Sequence, residues 1–294
     1  CVIQGNIRNY GTGEVRFEAP QITPESTATK PSEVYKPGAT LDRTLEYGGK
    51  TVPIYRDRPL NVFSDVDFIW TGEENENQRR LEYLGGEFRT RYGIDVSSFQ
   101  GEIDWDAVAD DNIDFAMVRV GFRGTGTGSL NTDKYYEQNI RGAMRAGLET
   151  GVYFFAQAVT VEEAIEEADY VISLLDGLDI NGPVAYDWEM HDSTYRVYGT
   201  SPEMATACAV AFCERIKDAG YTPMVYGGTY VTYMKYDQGA LADYLSWYPE
   251  YKSEKSEKLC PTLVYHMDYW QFSSSRAVAG INGRVDMNIQ FIRR

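Results

Sequence analysis

Residues 183–190 read PVAYDWEM. Val184, Ala185, Tyr186 and Trp188 form a short apolar run of strand length, and two acids, Asp187 and Glu189, interrupt its far end. Alternate side chains of a strand share a face, so Asp187 and Glu189 point one way and Trp188 the other. Two carboxyls so close cannot both ionise cheaply. One pKa should rise, and its owner is suited to general acid work such as protonating a glycosidic oxygen.

Comparable apolar runs lie on both sides, at 93–96, 115–120, 152–156, 224–226, 245–248, 265–272 and 285–292. Helix signals separate the earlier ones. Thr160 and Glu163 form a capping box ahead of a periodic run to Leu175. Ser201-Pro202 opens a helix that Gly220 closes, and Gly147 closes another. Helices thin out in the last third. The pattern predicts an α/β fold, an irregular TIM-like (β/α) barrel of eight strands with fewer helices, over residues 92–294.

Barrel sites are built at the C-terminal ends of the strands. Asp95 ends the first run, Asp187 and Glu189 end the fourth, and Asp286 lies in the last. Any one acid could cap a helix or pair with Arg119 or Arg284; convergence of all four favours a catalytic site. Tyr153, Tyr186, Tyr226, Trp247, Tyr251 and Trp270 lie at or just past strand ends, where some pack the barrel and others suit stacking on sugar rings.

The rest of the chain sets bounds. Its 294 residues carry a formal charge of −16, which argues against nucleic acid as a partner. No apolar run is long enough for a transmembrane helix. His191 and His266 are the only histidines and are far apart, so neither a His-based metal site nor a Ser-His-Asp triad is expected. A carboxylate-only site for Mg or Ca is the weaker alternative to the expectation of no cofactor. Gly124–Gly128 (GTGTG) lacks the spacing of a dinucleotide or phosphate loop and reads as a flexible loop. Cys208, Cys213 and Cys260 read as buried small hydrophobes.

Residues 1–45 read as a tether, with a Pro-, Thr- and Ser-rich linker over 20–40. A chain that starts on Cys fits a processed lipoprotein with a lipid anchor at Cys1. Residues 46–91 read as a small β-rich appendage, with strand-like alternation at 50–55 and 61–70 and a charged turn or solvated helix start at 73–80.

GIDVSSFQGEIDW (93–105), FAMVRVGF (115–122), DKYYEQNIRGAMRAGLETGVYFF (133–155), PVAYDWE (183–189) and WQFS with VDMN (270–288) together resemble glycoside hydrolase family 25, the Chalaropsis-type lysozymes or N-acetylmuramidases. The resemblance runs from about Tyr92 to the C-terminus. It implies hydrolysis of the β-1,4 bond from N-acetylmuramic acid to N-acetylglucosamine in peptidoglycan, by a monomer at or outside the bacterial surface. It places Glu189 on the general acid and Asp187 on the carboxylate that assists the substrate's 2-acetamido group, with Asp95 and Asp286 as the further acids. Arg119, Tyr153, Tyr226, Trp247 and Gln271, with Trp270, would line the groove. Phe154 stands where the family often has His. Two competing readings are a chitinase-like hydrolase, disfavoured because Gly182 and Ala185 stand where that motif wants Asp, and a non-catalytic glycan-binding protein on the same barrel.

Overall fold

The computed structural model describes residues 28–38, 40–72 and 79–294. Cys1 and most of the tether and charged run lie outside them. Pro31–Val34 form one helical turn, α1. Around it the chain follows the barrel surface: the Thr29 amide donates to Glu162 at 2.8 Å and the Gly38 amide to Asp237 at 2.9 Å.

Two small antiparallel hairpins come next. β1 (Leu41–Tyr47) pairs with β2 (Lys50–Tyr55) through Gly48 and Gly49, whose positive φ values of 57° and 74° suit a tight hairpin turn. β3 (Phe68–Thr71) pairs with β4 (Arg80–Tyr83). Of the expected 61–70 strand only the end is extended in a sheet, because Asn61 turns its side chain onto the Pro261 and Leu263 carbonyls and Ser64–Asp67 form a capped turn.

The barrel strands are β5 (Phe88–Val96), β6 (Phe115–Arg123), β8 (Glu149–Ala156), β9 (Val184–Trp188), β10 (Pro223–Tyr226), β11 (Leu245–Pro249), β12 (Tyr269–Arg276) and β13 (Val285–Arg293). A short β7 (Leu130–Thr132) extends β6 as a hairpin, so Gly124–Gly128 is a bonded hairpin turn, with the Gly124 amide donating to the Ser129 carbonyl at 2.9 Å. From β5 to β12 the barrel neighbours pair parallel; β13 then inserts antiparallel to both β12 and β5 and closes the ring. The irregularity of the barrel thus lies at its last strand, which breaks the parallel order of a TIM-like ring.

Five helices sit outside: α2 (Trp105–Asp110), α3 (Tyr136–Arg145), α4 (Val161–Leu174), α5 (Pro202–Asp218) and α6 (Thr229–Met234). Thr160 and Ser201 cap α4 and α5 as their sequences require, accepting from the amides of Glu163 and Met204 at 3.3 and 3.2 Å. Cys208 and Cys213 on α5, and Cys260, are buried free thiols. Phe115, Met117, Ala185, Met224, Tyr226, Trp247 and Tyr269 fill the barrel interior. Gly93 has no room for a side chain there, since a Cβ would lie 2.3 Å from the Phe115 ring.

Among the described residues no helix covers the outer faces of β12 and β13; the β3–β4 hairpin and the loop before it do. Phe68 meets Trp270 edge-on at 5.4 Å, Trp70 meets Phe272 at 6.0 Å, and Phe63 lies 4.4 Å from Phe291. The buried Arg58 fastens this layer, donating to Gln238 at 3.0 Å and to the Tyr244 carbonyl at 3.4 Å. Among the described residues no helix is long and apolar enough to cross a membrane.

Candidate active site

The reversal of β13 decides how the acids meet. Asp286 is near the start of its strand and Asp95 near the end of β5, yet the antiparallel register makes them direct partners at one mouth of the barrel. They share a hydrogen bond, and burial raises both carboxyls above the ordinary carboxylate range. Burial pushes Asp95 up to about 6 against the opposing pull of its amide donors. Burial, reinforced by the charge of Asp95, pushes Asp286 up to about 8.

Asp95 Oδ2 accepts from Gln271 Nε2 and from Asn288 Nδ2, each at 2.8 Å. The outer bonds fix both amide orientations. Trp247 Nε1, which can only donate, gives its hydrogen to Asn288 Oδ1 at 2.8 Å. Tyr226 and Tyr251 donate their hydroxyls to Gln271 Oε1 at 3.2 and 3.0 Å. Each amide is left with its NH₂ facing Asp95. Trp247 also packs edge-on against Tyr226 at 4.9 Å and Tyr153 at 5.8 Å, forming an aromatic wall.

Asp187, next to last in β9, is buried; its Oδ1 receives no donor among the described residues, and its carboxyl is hydrogen-bonded to that of Glu189. Burial and then the charges of Glu189 and Asp95 hold its carboxyl well above the ordinary range, while Arg119 pulls the other way. Glu189, two residues on, keeps its side chain 24% exposed and bonds His191 Nε2 at 2.8 Å. One carboxyl therefore lies deep, and the other faces the opening.

Arg119 on β6 is held by the buried Asp133 at 2.8 Å and by Ser98 Oγ at 3.3 Å, between the rings of Phe99 (5.0 Å) and Phe122 (5.5 Å). Phe99 is 85% exposed at the rim.

The structure thus brings together Asp95, Asp187, Glu189, Asp286, Arg119, Tyr153, Tyr226, Trp247 and Gln271. It does not bring Trp270. That ring is fully buried on the outer side of β12, against Phe68, with Nε1 donating to the Glu250 carbonyl at 3.0 Å. It neighbours Gln271, and alternation sends it outward. Tyr186 and Phe154 face outward likewise, against Phe212 on α5 and Tyr170 on α4, so the Phe at 154 leaves the groove untouched. Asn288 and Asp133 were not singled out from sequence. Asn288 shares strand parity with Asp286 and was findable; Asp133 lies in a loop, where no periodicity marks it.

The profile of glycosyl hydrolases family 25 matches residues 94–281. The chain belongs to that family. It is 26% identical over 197 residues to the autolytic lysozyme of Clostridium acetobutylicum, covering 67% of this chain and 54% of that one, so it spans about half the length of that relative. Lysozyme M1 of Streptomyces globisporus is 27% identical, with 67% and 66% covered. Among solved structures, the bacterial lysozyme of Streptomyces coelicolor superposes with a TM-score of 0.54 at 25% identity, covering 67% of this chain and 90% of that one.

Proposed function

We propose that the protein hydrolyses peptidoglycan glycan strands at the β-1,4 bond between N-acetylmuramic acid and N-acetylglucosamine. The observation that carries the reading is the division of labour in the carboxylate pair: Glu189 open to the groove, Asp187 buried behind it. Family membership and the lysozymes among its relatives support the substrate class.

In this mechanism Glu189 delivers its proton to the glycosidic oxygen as that bond breaks. The 2-acetamido carbonyl oxygen of the substrate attacks the anomeric carbon and forms a cyclic oxazolinium ion, while the Asp187 carboxylate accepts the acetamido N–H. Water, deprotonated by Glu189, opens the ring and restores the acid. The productive form has Asp187 as the anion, which Arg119 favours against the burial that raises its carboxyl. Asp95 and Asp286 hold the far wall with Trp247 and Tyr226 packed behind it, and the exposed Phe99 ring at the rim offers a face to sugar. Such a substrate places the enzyme at the cell envelope or outside it.

Digestion of purified peptidoglycan, followed by borohydride reduction and mass spectrometry, tests this. Wild type should create new reducing ends on muramic acid, and Glu189→Gln should lose about 10²–10⁴ of the rate. New ends on glucosamine would overturn the bond assignment. Binding without cleavage would leave a glycan-binding protein.

A further inference from the structure

Gln157 lies just past β8, is fully buried, and belongs to neither the acid cluster nor the aromatic wall. Its side chain reaches the next strand's exit. Nε2 donates to the backbone carbonyl of Glu189 at 2.8 Å. The carbonyl of Gln157 itself accepts from Arg196 Nη1, also at 2.8 Å. One residue thus grips the segment 189–196 at both ends, by side chain at its start and by backbone at its finish.

Gln157 is in turn fixed from behind. Its amide donates to Glu167 Oε1 on α4 at 3.0 Å, and the same oxygen takes Arg123 Nε at 2.7 Å. Arg196 is anchored a second time on α4, by Glu163 at 2.7 and 3.0 Å. The Trp188 indole adds a bond to the Ala158 carbonyl at 3.2 Å. A carbonyl can only accept, so the Gln157 amide must present its NH₂ to Glu189. Among the described residues no other side-chain hydrogen bond fixes that amide, and its Oε1 has no partner.

Glu189 follows the last residue of β9, beyond the reach of the sheet ladder. Its backbone could swing with the loop that follows, and with it the height of the carboxyl above Asp187. Small misplacements of an acid are costly to the chemical step, because proton transfer needs hydrogen-bond reach. We propose that Gln157 is a positioning residue for Glu189: its buried amide, with Arg196 closing the far end, sets where the acid stands. This rests on the assignment of Glu189 as the acid.

The test measures kcat and KM on soluble peptidoglycan fragments for wild type, Glu189→Gln, Gln157→Met, Gln157→Asn and Arg196→Gln, with thermal melts of each. Met keeps the length of Gln157 but loses the donor; Asn keeps the chemistry but falls short. Arg196→Gln releases the other end from a side chain near the surface. We expect kcat to fall about ten-fold in the Gln157 variants and less in Arg196→Gln, with KM within two-fold of wild type. Should a Gln157 variant fail to fold, the other variants decide. Unchanged kcat, or a rise in KM alone, overturns the positioning role. An inactive wild type instead overturns the proposed function, and full activity in Glu189→Gln overturns the acid assignment, so the three failures are distinct.

Discussion

Asp95 and Asp286 are cross-strand partners, one at the end of β5 and the other at the start of β13, although 190 positions of sequence lie between them. Their carboxyls share a hydrogen bond in a site where burial works against charge on either. Such an arrangement costs stability that a structural role alone would not require.

That cost has a defined pH window. A carboxyl whose pKa is raised by folding keeps its proton where the unfolded chain has lost it, so the folded state binds more protons and stability falls as pH rises. For Asp286 the fall runs from about pH 4, the ordinary Asp value, through about 8. Asp286→Asn should therefore melt higher than wild type at pH 8, by roughly 2–4 °C per kcal/mol relieved, and show no such gain at pH 4. Melts at the two pH values decide it; an equal gain at both would mean that ionisation is not the cause.

Trp247 orients Asn288, and Asn288 orients toward Asp95. Trp247→Phe removes the N–H while keeping much of the aromatic wall. The freed Asn288 amide can turn its oxygen toward Asp95, and the loss should be about 1–2 kcal/mol in kcat/KM, roughly 5–30-fold. Steady-state kinetics on soluble glycan fragments would show it. Wild-type kinetics in Trp247→Phe would mean that the indole serves packing alone.

Phe68 belongs to the N-terminal hairpins but packs as part of the barrel's outer layer, on Trp270 and Phe291. Phe68→Ala should cost about 3–5 kcal/mol. Denaturant unfolding should show that loss in one cooperative transition. Two transitions, with the barrel unaffected, would mean that the hairpins are an independent unit.

The chain carries −16, and the walls proposed as its substrate are themselves anionic. Contacts through exposed aromatic faces such as Phe99 need no counter-charge. Peptidoglycan binding by the inactive Glu189→Gln protein should change little between low and physiological salt. A steep loss of binding on adding salt would show that ion pairs carry the affinity.

The sequence by itself determined the barrel strands, because each is a bounded apolar run, and the helix starts, because Thr160 and Ser201 are caps whose chemistry is local. It also located the four acids, since each interrupts an apolar run. Tertiary structure alone decided the direction of β13, for period-two alternation reads the same both ways along a strand. That direction pairs Asp286 with Asp95. Tertiary structure also sent Trp270 outward: a ring beside Gln271 suits sugar or hydrophobic core equally, and only the arrival of Phe68 from the N-terminal hairpins gives it a core to join. Gln157 and Asp133 were illegible for the same reason, because a loop residue acquires its task from a distant partner that no local pattern announces.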